Sequence, residues 1–517
     1  MKTYNIINIT NYILNTILMV SIVVELLFFS QVENIIGIFT TFFSLVIFKQ
    51  VVLRREIIIR RPLSFIAVFG LFLFMYLPIV ATLIDGHPIS FGMINPIQTF
   101  TLQFIYFSIT IFAFYKSGKY SIRFRGISNM LKKYNYFTPP THKQIWVLGF
   151  IGLFPKIYLM MNQYGDEMTT GAGFANMLSY LIYLPVILLF PNLYGGKEYK
   201  YKKKVFIYIA FITIIAIASN SRNQVLFILA TCFLIFIINL IINKPLISIR
   251  SIRKTFLIII LVIFFIPMLA DLAFAMVAVR SERYGITAKE LFNVTWDLYT
   301  DKEKLNKLKE IANSDTRIMA LNNIHSNWNE YYVNNIFLQR LCNYRVVDAS
   351  IYHAYNAGIP NKIMQEDFIN QLKTTYPTPI VKLLFRNINK EDYKYSPMDL
   401  LYAKSQNTAL LPSFLVGGDV GLGLSYFGYW YFLVQYIVYF IVFILIDQLH
   451  YFSKKTNVIS VFSLMTIYTF FLTFQVGGGI IAHIRYIIYS FFISLIAYLM
   501  IYKLVRIIIV PKSLMSR

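Results

Sequence analysis

Apolar runs of about 20 residues recur along this chain, and each is long enough to cross a hydrocarbon core of roughly 30 Å as a helix. Within lipid every backbone N–H and C=O must be satisfied inside the protein, so only helices and closed barrels can span it. The runs are continuous instead of alternating, which excludes a barrel. Twelve spans fit the hydropathy: 6–29, 34–53, 63–84, 97–115, 145–161, 174–194, 204–220, 224–243, 255–276, 425–447, 458–476 and 480–502. Of the 517 residues 57% are hydrophobic and 14% charged, and the mean hydropathy is +0.60. A soluble domain carries roughly a quarter of its residues as charges. The expected fold class is therefore an all-α polytopic membrane protein of about twelve transmembrane helices. The first run, Ile6 to Phe29, is too long for a signal-peptide core and reads as an uncleaved span.

A net charge of +24 raises the question of nucleic acid, but its distribution answers no. Basic residues fill the loop after every even-numbered span: Arg54 to Arg61, Lys116 to Lys143, Lys197 to Lys204, Lys244 to Lys254, Lys454 and Lys455, then Lys503 to Arg517. The positive-inside rule places those loops and both termini in the cytoplasm. The one long polar stretch, Arg280 to Lys404, follows span nine and so falls outside. It holds 17 of the 48 Lys/Arg and 14 of the 24 Asp/Glu, which makes it nearly neutral beside a strongly basic scaffold. The expected organisation is 1–276 as spans one to nine, 277–409 as a large helical extracytoplasmic (periplasmic) loop domain, and 410–517 as spans ten to twelve. Within the loop, Lys302 to Ile311, Asn327 to Leu341 and Gln365 to Leu372 read as helices, the first by its i,i+4 charge pairs. Cys232 lies in an apolar run and Cys342 in the loop, so neither a disulfide nor a metal spacing is expected.

Three cations remain in the outward halves of spans or in outer hairpins: Lys156, Arg222 and Arg485. Charge in a span costs about 2.5–3.5 kcal/mol and usually faces a polar cavity. Snorkelling to the interface is the alternative for each alone. With Arg280 and Arg283 at the mouth of span nine, the five suggest a shared anion site. The turn Ser219-Asn220-Ser221-Arg222 adds a helix start beside a guanidinium, a combination suited to phosphate oxygens. The segment Arg340-x4-Arg345-Val-Val-Asp348-x4-His353 offers both signs on one expected helix. Asp348 or His353 is the candidate proton acceptor there, with His325 and Glu330 behind them. An ordinary Arg345–Asp348 ion pair and a structural His353 are the alternatives. Trp296, Trp328, Tyr331 and Tyr332 suit either stacking on sugars or a local core.

The Ser219-x-Ser221-Arg222 turn resembles one in the bacterial oligosaccharide repeat-unit polymerases (O-antigen polymerases) and O-antigen ligases. Gly418-Asp419 through Tyr426-Phe427-Gly428 is similar to a second family feature, an acidic residue followed by an aromatic-Gly entry into the next span, although the family position is more often Glu. The overall layout of about twelve spans and one large outer loop also matches. The resemblance implies a C-type glycosyltransferase-like fold in the bacterial inner membrane, with the active site facing the exterior. It implies an undecaprenyl-diphosphate-linked oligosaccharide as donor, no cofactor, no metal, and a chain-length regulator as a partner. On that reading Arg222, Arg280, Arg283, Arg485 and Lys156 bind the substrate diphosphate, and Asp348, His353 and Arg345 serve the acceptor. The leading expectation is a polymerase. The alternatives are a ligase that transfers the glycan to lipid A-core and a lipid-linked oligosaccharide flippase.

Overall fold

The structure is a computed structural model and describes residues 3–161, 178–218, 222–243, 246–248, 267–268, 270–279, 288–311, 328, 330–408, 411, 415–453, 457–475 and 479–509. The chain forms an all-α membrane protein. Its principal helices are α1 (Ile6–Phe28), α2 (Val32–Val52), α3 (Pro62–Ile84), α4 (Pro96–Arg123), α5 (His142–Met161), α6 (Lys202–Ala218) and α7 (Arg222–Asn243). The loop region contributes α8 (Ile336–Cys342), α9 (Tyr344–Ala357), α10 (Lys362–Lys373) and α11 (Pro397–Ser405). The chain closes with α12 (Asp419–Asp447) and α13 (Gly479–Ile509).

Starts are set locally. The Asn5 side chain accepts from the Ile7 N–H at 3.0 Å to cap α1. Pro62 and Pro96 open α3 and α4, where a missing N–H costs nothing.

Among the described residues, α1, α2, α3, α4, α7, α12 and α13 are long and apolar enough to cross a membrane. The other expected spans take different forms. Pro155 sits inside α5. Expected span six contains a 3-10 helix, Tyr180–Leu189, around Pro185, whose missing N–H bars a regular α ladder. α6 has 17 residues. Expected span eleven breaks at Thr466 into Val461–Met465 and Ile467–Leu472. Expected span nine lies mostly outside the described residues.

Loop contacts sort the chain ends of these helices into two groups. A two-stranded sheet pairs β1 (Thr3–Asn5) with β2 (Leu246–Ser248), tying the N-terminus to the segment after α7. A hairpin of β3 (His450–Phe452) and β4 (Asn457–Ile459) follows α12. Arg125 donates to the Phe452 carbonyl at 2.6 Å, Gln448 to the Phe124 carbonyl at 2.8 Å, and the Tyr502 hydroxyl to the Thr138 carbonyl at 3.2 Å. His142 Nε2 lies 2.9 Å from the Lys197 carbonyl. The segments after expected spans two, four, six, ten and twelve thus gather at one end, the grouping expected from their shared charge. At the other end, the Ile89 N–H donates to Glu25 (2.8 Å) and the Asn334 N–H to Asp85 (2.6 Å). α4 joins the two ends; Thr99 and Ser117, near its termini, are roughly 27 Å apart at 1.5 Å per residue.

The polar loop is part of the core at this second end. α8 packs on α3, and Tyr344 of α9 meets Phe74 and Phe100 edge-on at 5.8 and 5.4 Å. Nearly every α9 residue from Tyr344 to Ala354 is buried. α9 also presses on α12, where a Cβ at Gly421 would lie 2.4 Å from the Ser350 backbone. Two local expectations need correction. The helix expected from Asn327 begins only at Ile336, and Arg340 to His353 is not one helix. Asn343 breaks it by accepting from the Val346 N–H (3.2 Å) as the cap of α9. A second small core, with Val279, Leu291, Leu298 and Leu305, lies in the first part of the loop; the helix expected at 302–311 is present there.

Candidate functional site

Asp348 holds the loop to the bundle. Its carboxylate accepts from the Ile94 N–H (2.5 Å), the Asn95 N–H (2.9 Å) and the Thr99 hydroxyl (2.8 Å), at the start of α4. A carboxylate at a helix N-terminus satisfies otherwise orphaned donors and complements the dipole. Burial lifts the pKa of Asp348, opposed by those three donors and by Arg345. This is the bonding of a staple, and it commits both oxygens.

Arg345, one turn earlier, is only 4% exposed. Its guanidinium lies against Gly92, where a Cβ would meet Nη1 at 2.9 Å. Nη1 donates to the Tyr331 carbonyl at 2.8 Å, and among the described residues this is its one hydrogen bond. Burial lowers the Arg345 pKa and Asp348 opposes that.

His353, farther along α9, sits in an aromatic box. It stacks on Trp328 at 5.3 Å, meets Tyr402 edge-on at 5.0 Å, and places Nδ1 2.6 Å from the Ser405 hydroxyl. Burial drives its pKa down to about 4, so the ring is neutral at pH 7. Of the sugar-stacking candidates, Trp328 serves this box and Tyr332 is buried, donating to the Ile89 carbonyl at 2.5 Å. Glu330 accepts from the Val416 N–H (3.3 Å), and its carbonyl accepts from Gln339 and Asn343, again a fastening role.

The Gly418-Asp419 pair lies where three elements converge. The Gly418 N–H donates to Ser350 of α9 at 3.1 Å. Asp419 accepts from Tyr106 (3.0 Å) and Tyr439 (3.1 Å), and from the Gly479 N–H (3.1 Å) at the start of α13. His483 Nε2 stands 3.4 Å away. The acidic residue therefore ties α4, α12 and α13 together. Gly428, the other half of the motif, has φ +58° and lets the chain turn between Phe427 and the rest of α12.

Two residues beyond His483, Arg485 reaches the turn that follows α10. Its Nε donates to Thr375 Oγ1 at 3.3 Å, its one hydrogen bond among the described residues. Burial, and then the Arg485 charge, lower the pKa of Lys390. Gln371 and Asp367 lie four residues apart on one side of α10. Tyr395 donates to Asp367 at 2.6 Å. Burial lifts its carboxyl to about 6, opposed by Tyr395 and Gln371. A carboxyl poised there can both accept and release a proton near neutral pH.

Sequence reasoning missed Asp367 and Lys390. A signal for Asp367 was present: Met364, Asp367 and Gln371 are the buried stripe of α10, and a carboxylate on a buried stripe is exceptional. Of the expected anion ligands, Arg485 reaches Thr375 beyond α10. Lys156 is buried on α5. Arg222 begins α7, but its side chain lies outside the described residues, as do Arg280, Arg283, His325 and the Ser219-x-Ser221 turn. Arg340 is exposed on α8, away from Arg345 and Asp348 on α9.

Comparison with protein-family models, with curated proteins and with solved structures finds no match to this chain.

Proposed function

We propose that this protein is a glycosyltransferase that polymerises undecaprenyl-diphosphate-linked oligosaccharide repeat units at the outer face of the bacterial cytoplasmic membrane. The reading takes twelve spans with both termini cytoplasmic, so the loop-bearing end faces outward. Its partners are the lipid-linked donor and acceptor, the bilayer and a chain-length regulator. The observation that carries it is the packing of α13 on α10 and on the turn after it, where Arg485 reaches Thr375. There the Arg485 guanidinium, with one hydrogen bond among the described residues, lowers the pKa of Lys390 by its charge, and α10 carries Asp367.

In the proposed reaction the bond between the anomeric carbon and a diphosphate oxygen breaks while the acceptor hydroxyl oxygen bonds that carbon. Negative charge grows on the departing diphosphate, and fixed guanidinium and ammonium groups stabilise it. Arg485 and Lys390 take this role, with Arg345, Arg222, Arg280 and Arg283 as further ligands. The proton from the acceptor hydroxyl passes to Asp367. Asp348, whose oxygens are committed to α4, positions Arg345 and the loop; His353 orders the aromatic box.

Purified protein incubated with a synthetic lipid-linked repeat unit tests this. Products several units long, formed with no added partner, are expected. Unaltered repeat units would overturn the proposal, and transfer confined to added lipid A-core would make the protein a ligase. Arg222→Ala is expected to abolish polymer while leaving membrane insertion intact, and Arg222→Lys to restore little, because a point charge does not replace the guanidinium fork.

A further inference from the structure

The end of the bundle opposite the loop carries a second cationic feature that glycosyl transfer does not use. A crevice of about 30 Å³ opens between α4, α12 and the β3–β4 hairpin, with Arg60, Arg61, Arg125 and Ser121 among its walls. Asp447 offsets Arg61, bonding its Nε at 2.6 Å. Arg60 and Arg125 have no carboxylate partner among the described residues. Arg125 is fixed at the rim, since Nη1 donates to the Phe452 carbonyl at 2.6 Å. Lys132 adds a third positive charge nearby, donating to Tyr451 of the crevice wall at 3.0 Å. On the crevice wall, Ser121 is 7% exposed, and its buried hydroxyl has no hydrogen-bond partner among the described residues. A buried hydroxyl without a partner costs about 1–3 kcal/mol.

A crevice of that size takes a single tetrahedral oxyanion and excludes a sugar. What surrounds it distinguishes lipid from free anion. Ile122 on the wall and Phe124 next to it are exposed apolar side chains at the end of α4, where a span meets the headgroup layer. An inorganic anion leaves them bare, whereas acyl chains descending along α4 and α12 cover them. Basic pockets between helices at such a level recognise anionic headgroups. We propose that this crevice binds the phosphate of an anionic phospholipid, with Arg60 and Arg125 as its charged ligands and the Ser121 hydroxyl as a donor.

Native mass spectrometry of the purified full-length protein, titrated with phosphatidylglycerol, phosphatidylcholine or inorganic phosphate, tests the assignment. One tightly retained phosphatidylglycerol is expected, with phosphatidylcholine binding weakly. Arg60→Ala is expected to weaken that site roughly fivefold and Arg60→Ala with Arg125→Ala about 30-fold, at about 1 kcal/mol per cation. The Arg60 side chain bonds nothing among the described residues, so its variant keeps the fold and decides the matter if the double variant does not fold. Equal retention of phosphatidylglycerol by wild type and Arg60→Ala overturns the proposal. Equal retention of the two lipids does so as well, and displacement of phosphatidylglycerol by millimolar phosphate overturns the choice of a lipid.

Discussion

Arg61 and Arg345 are buried arginines at opposite ends of α4, 5% and 4% exposed, and their surroundings differ in kind. Arg61 is saturated. Its Nε bonds Asp447 (2.6 Å), Nη1 the Phe114 carbonyl and Nη2 the Ser117 hydroxyl (2.8 Å), while the guanidinium lies 4.2 Å over the Phe114 ring. Ser64 donates to the other Asp447 oxygen at 2.5 Å. Arg345 has beside it a carboxylate, Asp348, that is committed to three donors on α4 and its lead-in. Among the described residues its own bonding is to one carbonyl, and Arg485 is placed similarly against one hydroxyl. A buried charge matched on every side belongs to the scaffold, because removing its partner exposes an uncompensated charge. A buried charge with donors to spare is suited to a ligand that brings its own oxygens.

Breaking the saturated side has the largest expected effect. Arg61→Met leaves Asp447 uncompensated and is expected to destabilise the fold by about 3–5 kcal/mol. Thermal unfolding in detergent measures it, and Arg61→Met with Asp447→Leu is expected to regain most of the loss. The open side should respond in the opposite sense. Arg485→Ala removes one weak hydrogen bond, so its melting temperature is expected to change little, while chain elongation falls about 10²–10³-fold, as for other groups that stabilise developing negative charge. A fold lost on Arg485→Ala, or elongation kept, would erase the contrast.

Asp367→Asn sharpens it further. Elongation by the wild type is expected to rise with pH through about 6, as the Asp367 carboxyl gives up its proton and becomes a base. The variant is expected to lose that limb and to run roughly 10²-fold slower at its plateau. A pH–rate profile from 5 to 8 reads both.

The smallest effect belongs to His353. Its folded pKa of about 4 lies below the ordinary value of 6.5, so the unfolded chain binds a proton between the two and the native state does not. Stability is therefore complete above pH 6.5 and falls as pH drops toward 4, by on the order of 3 kcal/mol. His353→Phe is expected to flatten that slope in melting curves while elongation at pH 7 is retained.

The two ends were not equally legible. The long helices α1 to α4, α12 and α13 follow from hydropathy alone, and the gathering of the basic loops at one end follows from their charge. Arg61 was read only as one more loop cation, because its partner Asp447 lies 386 residues away. Spacing along α9 suggested that Arg345 and Asp348 serve each other. The structure instead spends Asp348 on backbone N–H groups about 250 residues earlier, a partnership invisible to periodicity. The break at Asn343 was concealed because a cap residue reads as an ordinary polar position inside a helix. The Gly418-Asp419 motif was found by its residues, but its task of drawing α13 onto α4 and α12 depends on contacts that only the fold creates.

The most direct measurement is binding of undecaprenyl diphosphate to purified protein by tryptophan fluorescence or native mass spectrometry, comparing wild type with Arg345→Ala/Arg485→Ala and with Arg61→Met/Asp447→Leu. The account predicts that the first double variant, folded by its melting curve, loses binding at least tenfold while the second retains it. Unchanged affinity in the folded Arg345→Ala/Arg485→Ala protein would contradict it.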